Sequence, residues 1–267
     1  MRAVKNVAYY ASVIVNRRKF LATSAGIGAI GWMQPPSQPP AAQPPAPQPA
    51  QTPGPPGEAT PGRVRKLGLG DGDRDGLLYA PVDYTADKPL PLLVALHGAG
   101  GSSLSTQYAI QRADALHYIV LAPDSRDERT WDSILGMWGP DLEFIGAAIK
   151  YAKSRCAIDD SHIGLAGFSD GASYALSMGI GNGDLFSRVL AMSPGLMQPA
   201  SVRGKPKIFI SHGTTDPVMP IDITSRKFVP RLKTLGYDVT YREYEGRHTL
   251  PPAIAQEAME WFAPRQH

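Results

Sequence analysis

The pentapeptide Gly-Phe-Ser-Asp-Gly at residues 167–171 carries the strongest chemical signal in the sequence. It lies between a predicted buried strand and a predicted helix, which is the setting of a nucleophile elbow. A turn this tight forces the serine into a strained backbone conformation, and the flanking glycines let strand and helix pass closely. Ser169 is therefore the predicted nucleophile.

A serine hydroxyl is a weak nucleophile and needs a neighbouring base. After such an elbow the acid and then the histidine follow along the chain, and only His212, His248 and His267 come after Ser169. His212 ends a predicted strand with no suitably placed acid before it, and His267 is the last residue of the sequence. The sequence therefore predicts His248, in the loop before the last helix, as the base.

The acid that orients this histidine must lie between Ser169 and His248, at the carboxyl end of a strand. Asp216 meets both conditions, because it follows the predicted strand at residues 207–211. We expect Asp222 to cap the next helix instead, and Asp238 precedes a strand and so lies on the wrong side of the sheet. Asp216 is the predicted acid.

Donors for a developing oxyanion are predicted at two backbone positions. The glycine-rich loop at residues 96–102 follows the predicted strand at residues 91–96 and offers the N–H of Ala99. The residue after the nucleophile, Asp170, offers the second N–H. His97 is expected to brace this loop rather than act as a base, and the loop lacks the Gly-Lys-Ser/Thr ending of a phosphate-binding P-loop.

The segment at residues 124–139 follows the carboxyl end of a predicted strand, the edge where ligands bind in open sheets. Trp131 and Trp138 are predicted substrate-binding residues, with packing of the loop onto the body as the open alternative. Asp141 and Glu143 open a helix and are expected to be solvated. No cluster of His, Asp or Glu has metal-ligand spacing, and no cofactor is predicted.

Short apolar runs bounded by turn residues alternate with helical stretches after residue 62, which favours a mostly parallel sheet with helices on both faces. An opening hairpin is predicted at residues 63–79. Buried strands are predicted at residues 91–96, 119–123, 163–167, 188–192 and 207–211, an outer strand at 239–244, and helices at 140–155, 171–180, 222–235 and 252–262.

The formal net charge of +3 comes from the first part of the 267-residue chain. Residues 1–62 contribute +4, which leaves −1 for the remainder, so binding to nucleic acid is not expected. The single cysteine, Cys156, excludes an internal disulfide framework and a cysteine zinc cluster.

The first 62 residues do not have the pattern of a folded domain. Arg17 and Arg18 precede a short uncharged stretch rich in glycine and alanine, which resembles a twin-arginine export signal over residues 1–34. Residues 35–62 contain 12 of the 26 prolines and are predicted to be an extended linker. The hypothesis is an exported periplasmic or extracellular protein, anchored if the signal is not cleaved, with residues 63–267 as one domain.

The four segments at residues 96–101, 167–171, 212–220 and 246–248 together resemble the α/β-hydrolase superfamily. The resemblance is to phospholipase/carboxylesterase-type serine esterases, with polyhydroxybutyrate depolymerases and feruloyl esterases as relatives. It implies an α/β-hydrolase fold and hydrolysis of a small-molecule carboxylic ester without a cofactor. A peptidase on the same scaffold and an inactive cell-envelope binding module remain as alternatives, and the natural ester and the oligomeric state are left open.

Overall fold

The computed structural model describes residues 60–70 and 73–264. The predicted export signal lies outside these residues, as does the predicted linker up to residue 59. The described chain forms eight strands and five α-helices. These are β1 (Val64–Lys66), β2 (Gly76–Tyr79), β3 (Leu90–Leu96), α1 (Gln107–Leu116), β4 (Ile119–Pro123), α2 (Pro140–Arg155), β5 (Ile158–Phe168), α3 (Asp170–Gly181), β6 (Arg188–Met192), β7 (Lys207–Gly213), α4 (Ser225–Thr234), β8 (Val239–Tyr244) and α5 (Pro252–Phe262).

The strands form one sheet in the order β1-β2-β4-β3-β5-β6-β7-β8. The pairs β1–β2 and β2–β4 are antiparallel, and every other neighbouring pair is parallel. The predicted hairpin and the predicted mostly parallel sheet are therefore both confirmed. Because β5, β7 and β8 run in the same direction, their carboxyl ends meet at one edge of the sheet.

Helices cover both faces of the sheet, as its apolar strands require. On one face α1 and α5 pack against Leu93, Leu190 and Phe209. On the other face α3 and α4 pack against Val189 and Ile208. Neighbouring residues Val189 and Leu190 thus enter opposite cores, because successive side chains of a strand point to opposite faces.

Helix α1 is the element that the sequence pattern missed. Only Ala109 and Ala113 of its ten residues are buried, and Tyr108, Ile110 and Leu116 pack partly buried against the same core. Helix α4 begins at Ser225, three residues later than predicted, because residues Ile221–Ile223 form a separate 3₁₀ turn. Within residues 60–70 and 73–264, no helix is both long and apolar enough to cross a membrane.

Candidate active site

Ser169 lies in a sharp turn between β5 and α3. Its backbone angles are φ 59° and ψ −121°, a conformation that costs a residue with a side chain on the order of 1–3 kcal/mol. The turn is held from both sides, because the Ser169 amide donates to the carbonyl of Met192 at 2.9 Å and its carbonyl accepts from the amide of Ser173 at 3.0 Å. The strained conformation expected of a nucleophile elbow is present.

Glycine is required at both flanking positions of this turn. A Cβ atom on Gly167 would lie 2.2 Å from the backbone carbonyl carbon of Gly171. A Cβ atom on Gly171 would lie 2.4 Å from the carbonyl oxygen of His97. These are rigid backbone atoms, so the close approach of strand, helix and glycine-rich loop depends on the missing side chains.

The structure brings Ser169, His248 and Asp216 together from the ends of three strands. The Nε2 atom of His248 lies 2.8 Å from the Oγ atom of Ser169, and its Nδ1 atom lies 2.6 Å from the Oδ2 atom of Asp216. Because Nδ1 faces an acceptor-only carboxylate, it carries the ring proton, and Nε2 is left to accept from the serine hydroxyl. This arrangement can move a proton from the hydroxyl to the imidazole.

The Asp216 carboxylate is buried and surrounded by donors. Its Oδ1 atom accepts the backbone N–H groups of Val218 and Met219, each at 2.8 Å. Burial by itself would raise the pKa of Asp216, but the hydrogen bonds from His212, His248 and the Met219 backbone hold that pKa well below its usual range. The group therefore stays ionised beside His248.

His212 lies behind Asp216 rather than beside Ser169. Its Nε2 atom is 2.7 Å from the carbonyl oxygen of Met219 and 3.3 Å from the Oδ2 atom of Asp216, and its Nδ1 atom is 2.7 Å from the Ser225 hydroxyl. It is fully buried, which agrees with its rejection as the base. The sequence pattern predicts no role for His212, although its position four residues before Asp216 at a strand end is a signal for one.

The two rejected aspartates lie away from this cluster. Asp222 is on the surface and pairs with Arg226 at 2.7 Å. The expectation that Asp222 caps the next helix is wrong, because the residue before α4 is Thr224. Asp238 precedes β8 and pairs with Lys207 at 3.4 Å, at the opposite edge of the sheet.

The two predicted oxyanion donors belong to the two segments that adjoin Ser169, the glycine-rich loop and the start of α3. The glycine-rich loop packs against the nucleophile, since a Cβ atom on Gly98 would lie 3.4 Å from the Cβ atom of Ser169. Ala99 follows in this loop and is exposed, while Asp170 is the first residue of α3 and is buried. The Asp170 carboxyl group faces the protein, where it accepts from the Thr130 hydroxyl at 2.6 Å.

His97 braces the glycine-rich loop, as predicted. Its Nδ1 atom donates to the carbonyl of Gly98 at 2.8 Å, and its Nε2 atom accepts from the amide of Ser125 and from Arg74, both at 3.1 Å. Burial, with a smaller contribution from the charge of Arg74, lowers the pKa of His97 to about 4, against the opposing effects of the Gly98 hydrogen bond and the charge of Asp124. The ring is therefore neutral and serves as a structural acceptor.

The prediction that Trp131 binds substrate is wrong. Its side chain is 0% exposed, its Nε1 atom donates to the carbonyl of His97 at 2.8 Å, and its ring packs between those of His97 and Tyr174. Trp131 therefore packs the loop at residues 124–139 onto the rest of the domain, which is the alternative to substrate binding given for it in the sequence analysis. Trp138 is partly exposed, with its ring centroid 5.1 Å from that of Tyr174.

The expectation that Asp141 is solvated is also wrong. It is 1% exposed, and its carboxylate accepts the backbone N–H groups of Arg126 at 2.5 Å and Asp132 at 2.6 Å. Burial raises its pKa. Glu143 is exposed, as expected. Among the described residues, no group of three His, Cys, Asp or Glu side chains is arranged to hold a metal ion.

Residues 142–263 match the model of the phospholipase/carboxylesterase family. The chain is 29% identical over 159 residues to a probable feruloyl esterase C from Aspergillus oryzae, and 25% identical over 158 residues to feruloyl esterase C from Emericella nidulans. Each alignment covers 56% of this chain, and it spans only 57% of the length of the relative.

Solved structures share the fold at low sequence identity. A truncated carbohydrate esterase from gut microbiota has a TM-score of 0.61 at 15% identity, over 78% of this chain and 98% of that one. A ferulic acid esterase from Anaeromyces mucronatus, in complex with ferulic acid, has a TM-score of 0.57 at 18% identity, over 75% and 89% of the two chains. The predicted α/β-hydrolase fold, and the resemblance to its esterases, are confirmed.

Proposed function

We propose that this α/β-hydrolase chain hydrolyses carboxylic esters through a catalytic triad of Ser169, His248 and Asp216. The observation that carries the proposal is the continuous hydrogen-bond chain from the Ser169 hydroxyl through His248 to Asp216, at 2.8 Å and 2.6 Å. The strained backbone of Ser169 supports it, because such strain concentrates at functional sites. The family and fold comparisons support the same reaction class.

In the first half-reaction, the Oγ atom of Ser169 forms a bond to the ester carbonyl carbon while its proton passes to Nε2 of His248. The carbonyl oxygen becomes an oxyanion, which the N–H groups of Ala99 and Asp170 stabilise. The bond to the alcohol oxygen then breaks, and His248 gives its proton to that oxygen. The products are the free alcohol and an acyl-serine.

In the second half-reaction, water takes the place of the serine hydroxyl. His248 removes a proton from the water as the water oxygen bonds to the acyl carbon, and the same donors hold the second oxyanion. The Ser169 oxygen leaves with the proton that His248 returns, which releases the carboxylic acid. Asp216 keeps the imidazole in the required tautomer and stabilises its protonated form.

Esters of hydroxycinnamic acids are the first substrates to test, since several relatives carry the name feruloyl esterase. The partly exposed Trp138 is the remaining candidate for a contact with an aromatic acyl group. Export by the twin-arginine machinery is the second part of the proposal, and the Arg17-Arg18 pair with its uncharged stretch supports it.

A fluorophosphonate probe tests the nucleophile directly, because it labels activated serines covalently. We expect the wild type to be labelled and to hydrolyse p-nitrophenyl esters, with methyl hydroxycinnamates in the same panel. Ser169→Ala should lose labelling and lose several orders of magnitude in kcat. Ser154→Ala is a matched control, because that serine lies on α2 and its hydroxyl donates only to Tyr151 within its own helix.

The rival hypotheses give different results in the same experiment. A folded wild type that resists labelling and hydrolyses no ester would support the inactive binding module. Labelling with cleavage of peptides but not of esters would support the peptidase. Near-normal ester hydrolysis by folded Ser169→Ala would contradict the proposed triad.

A further inference from the structure

The loop between β4 and α2 forms hydrogen bonds, through two successive residues, with both segments that adjoin Ser169. The carbonyl oxygen of Arg129 accepts the N–H of Gly100 at 2.7 Å. The hydroxyl of Thr130 donates to the Oδ2 atom of Asp170 at 2.6 Å. The Arg129–Thr130 dipeptide therefore holds both residues that are proposed to bind the oxyanion. It holds Ala99 through the peptide unit that follows it and Asp170 through its side chain.

The dipeptide is itself fixed by the protein interior. The next residue, Trp131, is fully buried and donates from Nε1 to the carbonyl of His97 at 2.8 Å. Earlier in the loop, the amide of Ser125 donates to Nε2 of His97 at 3.1 Å. Because both bonds end on His97, they tie this loop to the start of the glycine-rich loop.

The Thr130–Asp170 bond is shielded from water. Thr130 is 3% exposed and Asp170 is 2% exposed. A buried polar group is destabilised when it loses a hydrogen bond, so the bond from Thr130 favours the observed rotamer of Asp170. That rotamer turns the carboxyl group into the body of the protein, whereas a carboxylate turned toward Ser169 would oppose the negative charge of an oxyanion.

We propose that Thr130 is a positioning residue for the oxyanion site. It holds the first residue of α3 through the Asp170 side chain, so that the Asp170 N–H keeps its direction and the carboxyl group stays away from the reacting oxygen. The Arg129 carbonyl holds the peptide unit that follows Ala99 and so limits movement of Ala99 in the glycine-rich loop. This inference rests on the proposed ester hydrolysis, and it predicts an effect on the transition state rather than on substrate binding.

Thr130→Val removes the hydroxyl and keeps the shape of the side chain. We expect kcat for a p-nitrophenyl ester to fall about 10- to 100-fold with KM within about threefold, because donor misplacement acts on the transition state. Thr130→Ser should recover most of the activity. An arylboronic acid, which forms a tetrahedral adduct on the serine, should lose affinity in parallel with kcat/KM.

A double-mutant cycle separates this role from a general loss of packing. Asp170→Ala keeps the backbone N–H but removes the partner of Thr130, and the double variant should lose little more activity than the worse single variant. Thr240→Val is the matched control, since its hydroxyl accepts from Trp261 at the amino-terminal end of β8. It should keep kcat within about twofold.

Several outcomes would overturn the inference. These are unchanged kcat in Thr130→Val, a loss confined to KM, equal loss in Thr130→Ser, or additive losses in the double-mutant cycle. If Thr130→Val does not fold, Asp170→Ala and Thr130→Ser still test the bond. A wild type without esterase activity would overturn the proposed function and this inference together, whereas an active wild type with insensitive variants would overturn only this inference.

Discussion

The Oδ2 atom of Asp216 lies 2.6 Å from the Nδ1 atom of His248 and 3.3 Å from the Nε2 atom of His212. One carboxylate oxygen therefore faces two histidines, of which only His248 reaches Ser169. His212, with its second bond to the Met219 carbonyl, holds Asp216 from behind. Contacts other than His248 therefore hold the Asp216 carboxylate in the position from which it orients the His248 ring.

Asp216→Asn should reduce kcat by up to about 10⁴, because the amide favours the wrong tautomer of His248. Asp222→Asn is the matched control, since Asp222 is exposed and pairs with Arg226, and its kcat should stay within a few-fold of the wild type. Steady-state kinetics on one p-nitrophenyl ester compares the three proteins. An Asp216→Asn enzyme within a few-fold of the wild type would mean that the acid lies elsewhere.

Gly171→Ala should destabilise the protein by about 1–3 kcal/mol or more, because its Cβ atom would lie 2.4 Å from the His97 carbonyl oxygen and 2.5 Å from that of Leu96. Gly146→Ala provides the contrast, since no atom lies within 4 Å of that Cβ position on α2. It should stabilise by about 0.5–1 kcal/mol. Urea unfolding measures both changes, and equal stability of the two variants would contradict the packing argument.

The stability of the protein should fall between about pH 6.5 and pH 4 because of His97. In the unfolded chain a histidine takes up a proton below about pH 6.5, whereas in the fold the pKa of His97 is about 4. The unfolded state therefore binds more protons in this range, and the free energy of unfolding drops by up to about 3 kcal/mol.

His97→Gln should remove that part of the pH dependence. His162, whose pKa is also lowered by burial, contributes in the same direction in both proteins, so the difference between the two urea-unfolding profiles isolates His97. NMR titration of the wild-type imidazoles is the second measurement. A His97 ring that protonates near pH 6.5 in the folded protein would contradict the prediction.

The twin-arginine hypothesis predicts that Arg17→Lys combined with Arg18→Lys retains the protein in the cytoplasm of the expressing bacterium. Lys5→Arg, in the same basic leader, should leave export unchanged. Cell fractionation followed by an esterase assay gives the distribution. Unaltered activity outside the cytoplasm after the double substitution would remove this hypothesis.

Residues 63–267 alone should be folded and active, because the predicted linker and signal precede the first strand. We expect kcat/KM within about twofold of that of the full chain. An inactive but soluble shortened protein would show that the leader contributes to the domain.

Chain order and residue type predict much of the proposed catalytic cluster. Ser169 is flanked at two residues' distance by glycines, as a tight strand-to-helix turn requires. The order of serine, acid and histidine along the chain leaves few candidates besides Asp216 and His248. The bounds of β4, β6, β8, α2 and α5 also agree with the predicted ranges. Local periodicity and turn residues are enough for these features, because neighbouring residues determine them.

Only the tertiary structure decided which side chains meet across the loops. The burial of Trp131, the position of His212 behind Asp216 and the bond between Thr130 and Asp170 each join segments that are irregular or distant in sequence. A loop has no period from which the direction of its side chains can be read, and its path depends on the hydrogen bonds that its backbone finds in the folded core. The proposed support of the oxyanion site therefore became visible only in the assembled fold.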